Sequence, residues 1–211
     1  VFNFFSELGI PVGRKVNQEI LVPKWLLRAS MQEKAEFLAA LFGADCMATS
    51  QSNKWGGDFN CIRLSFNKAQ QLRTEGLKYA QQIKRLLSDL GIKVSQIKER
   101  EGNIRVDKTV SIKLVITLAK SVENTITFLK KVGYRYCIEK EITGNQWLYY
   151  LKARQNVLNE RRKLRIKTLQ LREKKGWVKH RIAKKLGITD WQVGGWIYYN
   201  QGTSLPWSFP H

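Results

Sequence analysis

Apolar and polar residues follow two periods along the first two thirds of the chain. A period near 3.6 is typical of helices, and a period of two is typical of half-buried strands. These periods predict helices at 37–46, 77–90 and 122–132 and strands at 59–66, 94–100 and 105–118. Gly91 directly follows the second helix and predicts its end, because glycine readily adopts the left-handed conformation of a helix C-terminus.

This order of elements predicts an α+β fold. An antiparallel sheet would pack one face on the helices and leave the other face open. Within 105–118, apolar residues occupy one face of the strand, whereas Ser111, Lys113 and Thr117 occupy the other. The open face is therefore predicted to be polar and basic.

The last third of the chain has a different character. Residues 147–175 form one or two basic helices by this pattern, and residues 178–197 fit a helix-turn-helix. Ala183 is small where two helices would cross, Gly187 permits a tight turn, and Thr189 is a preferred N-cap. The shared core would consist of Ile182, Leu186, Ile188, Val193 and Trp196.

The length of 211 residues suits one or two domains with a proper core. We predict three parts of the chain. Residues 1–21 are an N-terminal arm or the tail of a preceding half of the protein. Residues 22–143 are the α+β domain, and residues 147–211 are the basic helical domain. The first nine residues resemble the tail of a helix that stops at Gly9. The sequence does not start with an initiator Met, and we expect the chain to begin in the middle of a protein.

The net charge of the chain indicates which class of partner it binds. The chain carries 37 Lys and Arg against 17 Asp and Glu, a net charge of +20, which indicates a polyanionic partner. Solubility or attraction to a membrane surface is the alternative explanation. The sequence has no signal peptide and no membrane-spanning run, so an intracellular location is expected, either cytoplasmic or in a nucleoid or organelle. Three scattered cysteines and two histidines predict neither a disulfide framework nor a zinc site.

The helix at 37–46 ends on the carboxylate Asp45. A negative charge there faces the negative end of the helix macrodipole, and a carboxylate beside apolar residues normally needs a partner. Small residues at 35, 39, 40, 43 and 44 leave one side of the helix almost bare, so two such helices could pack backbone to backbone. Two adjacent carboxylates would then hold a divalent metal ion against a phosphodiester and activate water.

Residues 38–46 resemble the dodecapeptide motif of the LAGLIDADG homing endonucleases. Two stretches support this resemblance. Upstream, residues 22–26 together with Ser30 are similar to the segment that leads into the motif in intein-type members; downstream, residues 128–136 together with 139–141 are similar to the end of the same domain. The resemblance covers residues 1–142. It departs from the family pattern at Gly43, where the family has its first Asp, and at Cys46, where it has Gly.

The resemblance implies a metal-dependent, site-specific endonuclease that cuts double-stranded DNA at a long target, in intein or intron homing. It assigns metal binding to Asp45, with Mg²⁺ as cofactor, and a charge-stabilising role to Lys120, which could equally be a solubilising residue at a strand end. The second motif helix would come from a homodimer partner or a missing N-terminal half. The helices would meet through Ala39, Ala40, Gly43 and Ala44.

The resemblance also implies that the open sheet face is a concave saddle along the major groove of DNA. Its candidate contacts are Arg63, Ser65, Lys113 and Thr117, although an ordinary solvated strand face would have the same pattern. The helix-turn-helix would add contacts through Lys179, Arg181, Thr189 and Gln192. Gln192 is the candidate base reader, since its amide can pair with adenine; a helix-turn-helix used only for packing is the alternative.

Three functional interpretations remain at this point. The first is the homing endonuclease, the second a catalytically inactive LAGLIDADG-derived DNA-binding regulator, and the third an intron RNA maturase. Asp45 favours the endonuclease, because a protein that only binds would experience repulsion between this carboxylate and phosphates.

Overall fold

The computed structural model describes residues 7, 9, 13–50, 59–104 and 110–202. The chain divides into two compact units. The first unit comprises Val1–Asn53 and Asp58–Tyr149, and the second comprises Lys54–Gly57 and Tyr150–His211. Of the predicted N-terminal helix tail, only Glu7, which is helical, and Gly9, with a φ of +80°, are described; the rest lies outside the described residues.

The helices and strands follow the predicted order. After a 3₁₀ turn at Lys15–Asn17, the first unit contains α1 (Lys24–Leu27), α2 (Met31–Asp45), β1 (Arg63–Ala69), a 3₁₀ turn (Gln70–Leu72), α3 (Arg73–Asp89), β2 (Val94–Ile104), β3 (Val110–Leu118) and α4 (Val122–Lys131). Helix α5 (Ile138–Lys175) has residues in both units, and the second unit also contains α6 (Lys179–Leu186) and α7 (Asp190–Tyr198).

Local signals explain where several helices begin and end. Ser30 and Glu33 form a capping box at the start of α2, with each side chain bonded to the backbone N–H of the other residue. Gly91 follows α3 with a φ of +76°, and its N–H donates to the carbonyl of Ser88. The predicted stop at Gly91 is therefore confirmed.

The α+β class is confirmed. The sheet is antiparallel with the strand order β1-β3-β2, so β3 is its central strand. One face is apolar and buried, through residues such as Leu64, Leu114 and Ile116. Behind it, the rings of Phe42 and Phe128 lie 5.0 Å apart between centroids.

Several predicted boundaries were wrong. Helix α2 begins at Met31 rather than at residue 37, α3 begins at Arg73 rather than at residue 77, and β2 ends at Ile104 rather than at residue 100. The first strand begins at Arg63 rather than at residue 59.

The long basic helix begins at Ile138 rather than at residue 147, and it passes through Gly144. A Cβ at Gly144 would lie 3.0 Å from Cδ2 of Tyr134, so this glycine allows α5 to pack closely on an aromatic ring and does not interrupt the helix. Residues 105–109 of the predicted strand 105–118 lie outside the described residues.

Candidate nucleic-acid interface

The C-terminal end of α2 is stabilised within the chain. Lys140 Nζ donates to the carbonyl oxygens of Gly43 at 2.6 Å and Ala44 at 3.2 Å. A cation at a helix C-terminus offsets the negative end of the macrodipole. Asp45 itself is exposed to solvent. This carboxylate therefore needs no second carboxylate or metal ion to account for its position.

The small residues of α2 divide between two environments. Ala39 and Gly43 are buried, and a Cβ at Gly43 would lie 2.6 Å from the backbone oxygen of Arg135. The prediction that these two residues face another motif helix is therefore wrong, because the chain itself covers them. Ala40 and Ala44 are exposed and line an apolar cavity of about 380 Å³.

The exit from α2 needs no glycine. Cys46 has an extended backbone, with φ −98° and ψ 151°, so a left-handed turn is absent at this position. Its buried thiol lies 3.1 Å from the carbonyl oxygen of Arg63, and burial raises its pKa to about 12. All three cysteines are free, as predicted.

Asp45 and Lys120 have different surroundings. Burial, and secondarily the charge of Asp45, raise the pKa of Tyr79 to about 12. Lys120 lies between β3 and the N-cap of α4, and its Nζ is 5.6 Å from the ring centroid of Phe59, a cation–π contact. This contact gives Lys120 a structural role beside an aromatic ring.

Within the described part of the chain, no group of three or more His, Cys, Asp or Glu side chains is placed to hold a metal ion. The Mg²⁺ site therefore has Asp45 as its one candidate ligand and stays a prediction.

The polar sheet face brings together several of the candidate residues. Arg63 and Lys113 are exposed and Ser65 is half-buried. Thr117 is only 5 % exposed, because it lies on the central strand with Arg63 and Gln96 as its neighbours in register. Thr117 is therefore a poor contact residue, contrary to the prediction.

Two basic residues on this face were missed by the sequence analysis. Arg100 pairs in register with Lys113, and Lys98 pairs with Val115, so both side chains lie on the same face as Arg63. Both are exposed. Lys98 and Arg100 alternate with Ile97 and Glu99 along the strand, and this alternation could have predicted that the two basic residues share a face.

The helix-turn-helix is present as predicted. Gly187 has a left-handed φ of 66° after α6, and the N–H of Ile188 donates to the carbonyl of Ala183. Ile182, Ala183 and Val193 form the buried centre of the motif. The residues that pack around them are Leu171, Trp177, Leu186, Ile188 and Ile197.

Thr189 and Gln192 are used in a helix cap. Thr189 Oγ1 accepts from the N–H of Gln192, while Gln192 Oε1 accepts from the N–H of Thr189, each at 3.2 Å. This reciprocal capping box confirms Thr189 as the N-cap. The amide oxygen of Gln192, which bidentate pairing with adenine would require, is bonded in this cap. In this conformation Gln192 is therefore not available to pair with a base.

The remaining predicted contacts of this motif are basic and exposed. The guanidinium of Arg181 lies 4.2 Å from the ring centroid of Trp177, and Lys175 Nζ lies 5.4 Å from the same centroid. Lys179, on the same helix as Arg181, is exposed. The motif therefore has a basic surface over a small apolar core.

The charge is concentrated in this part of the chain. Residues 147–211 contain fourteen Lys and Arg against three acidic residues, a net charge of +11. Exposed basic side chains in this set are Lys152, Arg162, Lys163, Lys167, Lys174, Lys175, Lys179, Arg181, Lys184 and Lys185. A positive field of this density favours binding of polyphosphate backbones.

No helix among the described residues is both long enough and apolar enough to span a membrane.

Segments of several archaeal proteins are similar to this chain. It is 33 % identical over 175 residues to the tRNA-splicing ligase RtcB of Methanocaldococcus jannaschii, a match that covers 82 % of this chain and 17 % of that protein. It is 28 % identical over 208 residues to the protein of the same name in Methanopyrus kandleri, which covers 97 % and 20 % respectively. The chain thus spans a fifth or less of the length of these relatives.

A protein with a different name also contains a similar segment. Over 154 residues, the chain is 28 % identical to the DNA-directed RNA polymerase subunit Rpo1N of M. jannaschii, which covers 73 % of this chain and 11 % of that subunit. No protein-family model matches the chain, and no solved structure matches it significantly.

These comparisons overturn the identification as a LAGLIDADG homing endonuclease, because the matched relatives include several tRNA-splicing ligases. The endonuclease activity, its place in intein or intron homing, the double-stranded DNA target and the partner motif helix are corrected with it. The regulator and the maturase do not fit either. The contacts of Gly43 and Lys140 give the motif residues a structural explanation within the chain.

Proposed function

We propose that this chain is an RNA-binding segment of a longer protein similar to the archaeal tRNA-splicing ligases. The observation that carries the proposal is the net charge of +11 on residues 147–211, displayed as exposed Lys and Arg on α5 and α6. The names of the relatives favour RNA as the polyanion. In the longer protein, the proposed overall activity is the joining of RNA ends.

We assign binding to this segment and not the bond-forming chemistry. Similar segments occur in proteins whose names denote different activities, the tRNA-splicing ligases and an RNA polymerase subunit. Binding to a polynucleotide is a property that both activities can use. The second unit supports the same assignment, since exposed basic side chains surround its small core.

Rigid placement of the charges makes the second unit suitable for this role. The buried core of Ile182, Ala183 and Val193 holds α6 and α7 together, and Arg165 Nη2 donates to Asn200 Oδ1 at 2.7 Å. Lysines on packed helices need less ordering on binding than lysines on a disordered tail. Each phosphate that such a side chain neutralises releases bound counterions, which makes affinity depend on salt.

The polar sheet face is a second proposed contact. Arg63, Lys98, Arg100 and Lys113 lie on one face of a three-stranded sheet, opposite the face that packs on the core. We propose that the twist of the sheet shapes this face into a shallow saddle that follows an RNA backbone.

The test is equilibrium binding of the full chain to a labelled single-stranded RNA over a range of salt concentrations. We expect log K to fall linearly with log salt, with about 0.7 in slope for each phosphate contact. The double variant Lys184→Glu/Lys185→Glu should bind at least about ten-fold more weakly and have a shallower slope. The matched control Lys78→Glu/Lys84→Glu makes the same charge change at exposed positions of α3 and should leave both quantities nearly unchanged.

Equal losses in the two double variants would show that net charge alone attracts RNA, and would contradict a site in the second unit. Tighter binding to a DNA duplex of equal length than to RNA, at the same salt concentration, would contradict RNA as the ligand.

A further inference from the structure

Helix α7 exposes aromatic rings that its core does not use. Trp191 is 73 % exposed and Tyr198 is 57 % exposed, whereas Trp196 on the same helix is buried. Large apolar side chains exposed together on one element commonly mark a binding surface. The ligand of this surface must also be compatible with the strong positive charge of the unit.

The two exposed rings lie on one face of α7. Trp191 and Tyr198 are seven residues apart, which is two helical turns and places their side chains one above the other. Gly194 lies between them on that face. Among the described residues, a Cβ at Gly194 would meet only the ring of Tyr198, at 3.9 Å. The surface between the rings is therefore low and open.

Among the described residues, polar side chains at the start of α7 already have partners within the chain. The amide oxygen of Gln192 is bonded within the helix cap, and Asp190 pairs with His180. The remaining positions of the face contain two aromatic rings and a glycine, which offer flat apolar contact. Flat rings beside a basic surface are typical of proteins that stack unpaired bases while lysine and arginine hold the phosphates.

We propose that Trp191 and Tyr198 form a stacking platform for unpaired bases, so that the ligand class of the second unit is single-stranded RNA. The inference rests on the proposed RNA binding and adds that the bound RNA is unpaired. Bases in a duplex are already stacked on each other and are not available to these rings, whereas bases in a loop or a strand end are.

Three labelled probes of equal phosphate number test the platform: a 12-nucleotide oligouridylate, a phosphodiester oligomer that lacks bases, and an RNA duplex. The full chain should bind oligouridylate about 5- to 150-fold more tightly than the baseless oligomer, since stacking on an aromatic ring contributes this much per base. It should also prefer oligouridylate to the duplex.

The variant Trp191→Ala/Tyr198→Ala should lose this preference and retain its affinity for the baseless oligomer. Trp191→Phe should retain most of the preference, because it keeps a ring. Tyr149→Ala removes a ring that is 79 % exposed on α5 and serves as the matched control with unchanged binding. Thermal unfolding should be the same for all variants, because the substituted side chains are exposed.

The outcomes separate this inference from the proposed function. Failure to bind any of the three probes would overturn RNA binding itself. Equal binding of oligouridylate and the baseless oligomer, or a preference that survives in the double variant, would overturn the platform and leave RNA binding in place. Self-association that disappears in the double variant while the base preference persists would show that the rings serve a protein contact instead.

Discussion

Helices α2 and α7 both contain small residues, but they use them differently. A Cβ at Gly43 of α2 would lie 2.6 Å from the backbone oxygen of Arg135. Among the residues that the structure describes, a Cβ at Gly194 of α7 would meet only the side chain of Tyr198, at 3.9 Å. In α2 the missing side chain admits another part of the same chain. In α7 it leaves an open surface between exposed rings. Small residues at helical spacing therefore predict a bare face, and they do not identify what covers it.

The two helices also differ in the end at which they carry a carboxylate. Asp45 is at the C-terminal end of α2, where Lys140 supplies a positive charge to the terminal carbonyls. Asp190 is at the N-terminal end of α7, where the macrodipole is favourable, and it pairs with His180. Asp45 is exposed to solvent, so an acidic residue at the unfavourable end of a helix need not indicate a metal site.

The largest expected effect is on the close packing of α2. Gly43→Ala should lower the free energy of unfolding by about 1–3 kcal/mol, because the new methyl group meets backbone that cannot rotate away. The matched change Gly194→Ala should raise it by up to about 1 kcal/mol, since alanine favours a helix and has room. Urea denaturation of both variants measures the difference. Equal effects of the two substitutions would remove the contrast between the helices.

A smaller effect is expected at the end of α2. Lys140→Met should lower the free energy of unfolding by about 1 kcal/mol, because two carbonyl oxygens lose a charged donor. Lys78→Met, at an exposed position of α3, should have little effect and serves as the control. A Lys140→Met protein as stable as the original chain would show that the two hydrogen bonds do not stabilise α2.

The smallest effect on stability is expected at Asp45. Asp45→Asn should change the free energy of unfolding at pH 7 by less than about 0.5 kcal/mol, as is usual at an exposed position. It should also lower the pKa of Tyr79 from about 12, because the carboxylate disfavours the phenolate, although burial is the larger cause. Ultraviolet titration of the tyrosines measures this shift.

The sign of the pH dependence follows from the raised pKa of Tyr79. The folded chain keeps this phenol protonated above pH 10, the ordinary pKa, while the unfolded chain releases the proton. The stability contributed by Tyr79 is therefore present below pH 10 and is lost as the pH rises towards 12. An identical alkaline titration in Asp45→Asn would show that Asp45 does not act on Tyr79.

The helix-turn-helix could be predicted because its signals are local. Gly187 and Thr189 determine the turn and the cap through their own backbone and side chain. The capping role of Gln192 was also available, since Thr and Gln three residues apart form a known cap signature. We predicted instead that Gln192 contacts a DNA base.

The end of α2 and the sheet face could be predicted only in part, because they depend on distant segments. The residue that excludes a side chain at Gly43 is Arg135, and the residue that caps its carbonyl is Lys140. The burial of Thr117 depends on the strand order β1-β3-β2, which alternation along one strand does not reveal. The sequence pattern therefore predicted the helices and strands themselves, but it did not predict which distant residues pack against them.

The central claim is that RNA binds to the basic surface of the second unit, and lysine footprinting tests it most directly. The full chain is acetylated with and without single-stranded RNA, and modification of each lysine is measured by mass spectrometry. We predict protection of Lys163, Lys167, Lys184 and Lys185, with Lys78 and Lys84 of α3 modified equally in both samples. Protection confined to Lys78 and Lys84, or no protection of α5 and α6 under saturating RNA, would contradict the account.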